Sequence, residues 1–234
     1  MANVHTVSDF KLNLLMDNMA KSCPELRGAE NKTGELAVYI DPIVYWADFR
    51  VDVCDEGRVI LGDGLLTIHS FYAARGLSGC QSATLMAATI GDAIPRYSEM
   101  CIREGRLWEG TVADLLGSYA VEAVVEEFHR SLWLKYRPSR LYPSPRFSPG
   151  YGDWSLKDQS RIVSLLAADP RITVGPGCLL EPVKSVTALV GWSDEQKAGE
   201  YPVGDKGRGL CQGTGSCSSC STWACLKKGS GTGK

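Results

Sequence analysis

The sequence predicts an α+β fold: a largely antiparallel, twisted sheet flanked by helices, with a Cys-rich C-terminal extension. Three observations carry this reading. Short apolar runs occupy residues 36–69, helical patterns fill the middle of the chain, and short strand-like runs return over residues 171–192. Strands that gather early and late, instead of alternating one for one with helices, pair antiparallel.

The elements follow in order. Phe10, Leu14, Leu15 and Met19 recur at helical spacing in an amphipathic segment that ends near Pro24. Ala37-Val38-Tyr39-Ile40, Arg58-Val59-Ile60-Leu61 and Leu65-Leu66-Thr67-Ile68 read as strands, and the last two flank Gly62-Asp63-Gly64, a hairpin signature. Pro42 and the acidic residues 52–56 fit the loops between them. Residues 82–97, rich in Ala, Leu and Met, read as a helix with Pro95 near its end. Residues 111–136 form the most regular helical pattern. Thr111 with Asp114 resembles a capping box, and Val112, Leu115, Leu116, Tyr119, Ala123 and Phe128 share one face. Glu122, Glu126, Glu127 and Arg130 lie largely on the other, which reads as a solvated face without chemistry. Ser155 and Asp158 cap a helix carrying Ile162, Leu165 and Leu166, which Pro170 stops. Residues 171–174 and 185–192 read as strands joined through Gly175-Pro176-Gly177. Beyond Asp194 the chain turns polar and Gly-rich, which places one domain over residues 1–205 and a tail over 206–234.

Composition narrows the function. A formal net charge of -2 over 234 residues excludes general nucleic-acid binding, which needs a basic excess. No apolar run reaches bilayer length and the N-terminus has no secretory core, so the expected location is cytoplasmic, away from membranes. The three histidines form no metal triad, and Gly204-Asp205-Lys206-Gly207-Arg208-Gly209 neither follows a strand nor opens a helix, as a phosphate loop must.

The most informative segment is Pro145-Arg146-Phe147-Ser148-Pro149-Gly150-Tyr151-Gly152-Asp153-Trp154. Prolines fix φ, glycines permit tight backbone, and the two together bring Arg146 and Tyr151 to one concave surface. Arginine offers a two-pronged fork to a carboxylate, and tyrosine offers a ring face with one hydroxyl. The same residues also describe a Pro-rich surface turn. Asp153 suits either a ribose hydroxyl or, more simply, a cap on the helix that follows.

Arg146-x-x-Pro149-Gly150-Tyr151, a helix from about Ser155, and Pro182-Val183-Lys184-Ser185-Val186 together resemble the activation domain of cobalamin-dependent methionine synthase. Pro-Gly-Tyr-Gly-Asp-Trp with Leu156 and Gln159 is closer to stand-alone homologues of that domain. So are Ser70, Leu77, Gly79-Cys80, Ala88-Thr89-Ile90-Gly91 and the stretch from Asp114 to Glu122. The likeness spans roughly residues 68–192. After Gly-Tyr the fused enzymes carry Pro-Ala-Cys, where this chain has Gly152-Asp153-Trp154; their N-terminal Asp-Trp element and late tyrosine pair are not found here.

The resemblance implies an S-adenosylmethionine-binding accessory protein. Arg146 would pair with the methionyl carboxylate, and Tyr151 would border the ligand and face the corrin. Pro149, Gly150 and Gly152 would hold the backbone that meets the nucleoside. Methyl transfer plus one electron, delivered by a donor such as flavodoxin or ferredoxin, would restore methylcobalamin from cob(II)alamin. No Asp-x-His-x-x-Gly corrin motif is present, so cobalamin would be held by a corrinoid methyltransferase partner.

The tail holds a second chemical feature, Cys211-x5-Cys217-x2-Cys220-x4-Cys225. Four thiolates in a short span fit zinc or an iron–sulfur cluster, although the spacing matches no common pattern of either. The rival readings are a metal-dependent electron carrier or repair factor built on this tail, and a non-catalytic interaction module.

Overall fold

The computed structural model describes residues 3–10, 26, 28–166 and 171–195. Its centre is β2 (Ile43–Asp55), a 13-residue strand in which Ile43, Tyr45, Ala47 and Phe49 face one side, and Val44 and Trp46 the other. β2 pairs antiparallel with β5 (Ser82–Thr89) along one edge. Its other edge is shared by β1 (His5–Val7) and, past a register shift between Val51 and Val53, by β3 (Arg58–Leu61). β3 turns into β4 (Leu66–His69), which confirms the hairpin read from Gly62-Asp63-Gly64. On the far side of β5 lie β9 (Ser185–Ser193) and the edge strand β6 (Tyr142–Pro143), giving the order β4-β3-β2-β5-β9-β6. β7 (Thr173–Val174) and β8 (Leu180–Glu181) form a separate small ribbon.

Helices cover both faces. α2 (Phe71–Leu77) and α5 (Asp158–Leu166) contribute Ala73, Ala74, Leu77, Ile162, Val163 and Leu166 to one core, together with Leu85 and Leu189. α4 (Leu107–Tyr136) covers the other face with Leu116, Ala120, Val124, Val125, Phe128 and Leu132 against Met86, Ala188 and Val190. α3 (Ala93–Arg103) packs beside α4, where Ser98 donates to the Gly110 carbonyl at 2.8 Å, and α1 (Glu30–Leu36) lies near the start of α4. No helix among the described residues is long and apolar enough to cross a membrane.

Several local expectations need correction. Residues 82–97 are not one helix: Ser82–Thr89 is the central strand β5, and the helix begins only at Ala93. Seven of its eight residues are buried because helices cover both faces, so the polar–apolar alternation that marks a strand is missing. Its alanines, 83, 87 and 88, let those layers approach. Pro95 consequently falls in the first turn of α3, where its missing N–H costs nothing. Residues 37–40 make a 3-10 turn extending α1 with Val38 and Tyr39 exposed, rather than a strand. The acidic residues 52–55 belong to β2, where Arg50 pairs with Asp52 and Arg58 with Asp55, each at 2.8 Å. Thr111 does not cap α4, which starts a turn earlier; its hydroxyl donates back to the Leu107 carbonyl. Ser155 does accept from the Lys157 amide, while Asp158 accepts the Trp154 indole N–H.

Candidate functional site

Beyond β6 the chain continues along β9. The Ser144 amide donates to the Gly191 carbonyl at 2.8 Å, and the Gly191 amide donates back to Ser144 Oγ at 2.8 Å. Phe147 and Leu189 then exchange backbone bonds in both directions. From 144 to 147 is three steps, whereas from 191 to 189 is two, so the edge segment carries one extra residue at Pro145-Arg146. Such a bulge re-aims side chains and is tolerated at an edge, where prolines lose no ladder bonds.

The consequence is a split between neighbours. Phe147 enters the α2/α5 core, its ring against Gly76, where a Cβ would lie 1.8 Å from Phe147 Cζ. Arg146 turns to α4. Its Nη2 stands 3.3 Å from a Glu122 carboxylate oxygen, and its side chain is only 10% exposed. Arg146 Nη1 is buried with no hydrogen-bond partner. Leaving a buried charged donor unmade costs at least about 1–3 kcal/mol, which a ligand acceptor would recover.

The sequence places Glu122 on a solvated face; the structure instead leaves it half-buried and paired with Arg146. Burial raises its pKa, with Arg146 opposing and Glu126 adding to the shift. On the same helix, His129 is buried and held neutral: burial first, then the Arg146 charge, lowers its pKa to about 3. One and two turns N-terminal of Glu122, Lys184 Nζ meets Ser118 at 2.8 Å and Asp114 at 2.6 Å, its stem lying over Gly117. Asp114, Ser118 and Glu122 are spaced by four, so one edge of α4 carries two cation–anion pairs in succession. The sequence signal for Glu122 was its place directly beside the apolar stripe of Val121 and Val125.

Tyr151 sits elsewhere. It is 43% exposed on a tight loop, in which the Gly150 amide donates to the Trp154 carbonyl and the Tyr151 amide to Ser148. These amides close the turn itself. Gly150 (φ 90°) and Gly152 (φ 58°) both adopt left-handed backbone, as the turn requires. Asp153 does not cap the following helix: it accepts from Ser70 Oγ at 2.5 Å and from the amides of Phe71 and Tyr72 at 2.7 and 3.1 Å, at the start of α2. Trp154 is buried in the α2/α5 core. Thus Arg146 is brought to Glu122 on the α4 side of the sheet edge, and the Tyr151 loop is anchored to α2 on the other.

Cys211, Cys217, Cys220 and Cys225 lie outside the described residues, as does the boundary expected near Lys206. Among the described residues, no three His, Cys, Asp or Glu side chains gather where they would hold a metal ion.

The architecture now has a counterpart. A crystal structure of the MetH reactivation domain bound to AdoHcy superposes with a TM-score of 0.62, over 84% of this chain and 80% of that one, at 11% identity. This chain has the reactivation-domain fold. No protein-family model and no curated protein matches its sequence, so the likeness to the MetH reactivation domain rests on the course of the backbone.

Proposed function

We propose that this chain binds S-adenosylmethionine at the edge of the sheet and supports the reductive methylation of a corrinoid carried by a partner protein. The observation that carries this reading is the buried guanidinium of Arg146, with Nη1 unmet, beside the half-buried carboxylate of Glu122. An α-amino acid presents the complementary pair: a carboxylate that accepts from Arg146 and an ammonium that donates to Glu122. The weak 3.3 Å contact between the two side chains leaves each able to turn to such a ligand. S-adenosylmethionine, when bound, supplies a methyl group already activated on a sulfonium.

The chain's own work is therefore placement. Arg146 and Glu122 fix the amino-acid end, and the bulge that aims Arg146 is set by the Ser144–Gly191 bonds. A ligand held by Arg146 on the α4 side would have to cross the sheet edge to reach Tyr151, whose turn is tied to α2. Tyr151, exposed, would then border the methyl group on the side from which a corrin approaches. Pro149, Gly150 and Gly152 shape the turn that carries Tyr151. Cobalamin would come with the corrinoid methyltransferase partner, and the electron from a donor such as flavodoxin or ferredoxin. The fold shared with the MetH reactivation domain is consistent with this reading.

Calorimetric titration with S-adenosylmethionine tests it. Wild type should bind, and Arg146→Ala should weaken binding by about 1.5–3 kcal/mol, the range for hydrogen bonds to charged groups. No heat with wild type, or equal affinity in the variant, would end this reading.

A further inference from the structure

We infer that Asp153 is a positioning residue, holding the loop that carries Tyr151 in its ligand-ready form by clamping it to the start of α2, 81 to 83 residues away in sequence. The inference rests on the binding reading above only for what the loop is held ready to do.

The clamp is built from three hydrogen bonds to one carboxylate, backed by a close contact between Gly152 and Tyr72. One carboxylate oxygen of Asp153 accepts from Ser70 Oγ at 2.5 Å and the Tyr72 amide at 3.1 Å; the other accepts from the Phe71 amide at 2.7 Å. Ser70 Oγ in turn accepts from the Ala73 amide at 3.0 Å, so Ser70 caps α2 while its hydroxyl donates a hydrogen bond to Asp153. Gly152 lies flat against Tyr72, where a Cβ would stand 2.9 Å from Tyr72 Cβ and Cγ. Tyr72 then meets the Phe147 ring edge-on at 5.4 Å, which closes the circuit back to the bulge beside Arg146. Charge-assisted bonds from two amides and a hydroxyl depress the Asp153 pKa, Ser70 contributing most, so the carboxylate stays ionised across the neutral range.

The alternative is that Asp153 merely closes a helix end. A cap contributes stability wherever it lies, but it need not govern a remote loop. The geometry separates the two, because the cap is supplied by the loop itself: lose the carboxylate and the loop loses its hydrogen-bonded tie to α2, while Trp154 stays buried.

The test compares full-length wild type, Asp153→Ala, Asp153→Asn and Ser70→Ala by amide hydrogen exchange and by titration with S-adenosylhomocysteine. Asp153→Ala should speed exchange at Phe71, Tyr72 and residues 148–154 while leaving β5 and β9 protected, and should weaken affinity about tenfold, the loss of one charge-assisted anchor. Asn keeps one acceptor and should restore most of the affinity, and Ser70→Ala should fall between. Unchanged exchange in the loop, or uniform loosening that includes β5 and β9, would overturn the clamp. If Asp153→Ala does not fold, the Asn and Ser70 variants decide alone: both must loosen the loop selectively. Selective loosening without any ligand binding in wild type would uphold the clamp and bring down the binding reading instead.

Discussion

The two faces of the sheet handle polarity in opposite ways. Under α4 the chain buries ionisable groups: Arg146, His129 and, in part, Glu122 lie among valines, Phe128 and Leu132. Under α2 and α5 the interior is aromatic and aliphatic, and its polar groups are matched in closed pairs, such as Thr187 with Gln159 and Trp154 with Asp158. Arg146 and Phe147 make the contrast within two residues. The first face retains a buried donor without a partner and a carboxylate whose pKa burial raises; the second face is packed, and the loop carrying Tyr151 is bonded to α2 there. In the proposed reading, one side binds and the other side supports.

The sharpest way to stress the first face is acid. His129 takes a proton readily in the unfolded chain, near its ordinary pKa of 6.5, and resists it in the folded one down to about 3. Stability is thus fully present above the ordinary value and is lost as pH falls towards the folded value. The loss should reach about 3 kcal/mol by about pH 4. Thermal or urea unfolding across that range measures it, and His129→Leu should flatten the profile. An unchanged slope in that variant would mean other groups dominate.

The second face should respond to volume instead. Gly76→Ala places a methyl group into the Phe147 ring, and the buried ring has little room to retreat, so unfolding should be easier by about 1–3 kcal/mol. The loss should not depend on pH. A pH-dependent loss, or none, would erase the distinction between the faces.

A smaller effect separates Glu122 from its surroundings. Because burial raises its pKa, falling pH protonates it earlier than an ordinary glutamate and removes the partner of a ligand ammonium. Affinity for S-adenosylmethionine should therefore decline on acidification before ordinary carboxylates titrate. Glu122→Gln should bind more weakly at neutral pH by about 1 kcal/mol and lose that dependence. Titrations at several pH values check both.

The same contrast explains what the sequence could disclose. Elements with one wet face announce themselves: the β3–β4 hairpin around Gly62-Asp63-Gly64 and α4 by its apolar stripe. β5 was misread because a strand covered on both faces has no period of two, and its alanines and leucines equally suit a helix. The 13-residue β2 was missed for a related reason, since Trp46 and Phe49 are buried on opposite sides and Pro42 with the acidic residues suggested loops. At the site, Arg146 was legible from the loop's composition. Its partner Glu122 was not, because pairing across 24 residues depends on where the edge strand bulges. Asp153 pointed to the next helix by proximity in sequence, yet it caps one more than 80 residues earlier. Local spacing carries local structure; long-range partners follow from topology.

The most direct measurement pairs two ligands with two proteins. S-adenosylhomocysteine carries the amino-acid end, and 5′-methylthioadenosine lacks it. Wild type should prefer the former by about 2 kcal/mol or more, and Arg146→Ala should bind both nearly alike. A preference that survives the substitution intact would show that the guanidinium does not read the amino acid, and would contradict the account.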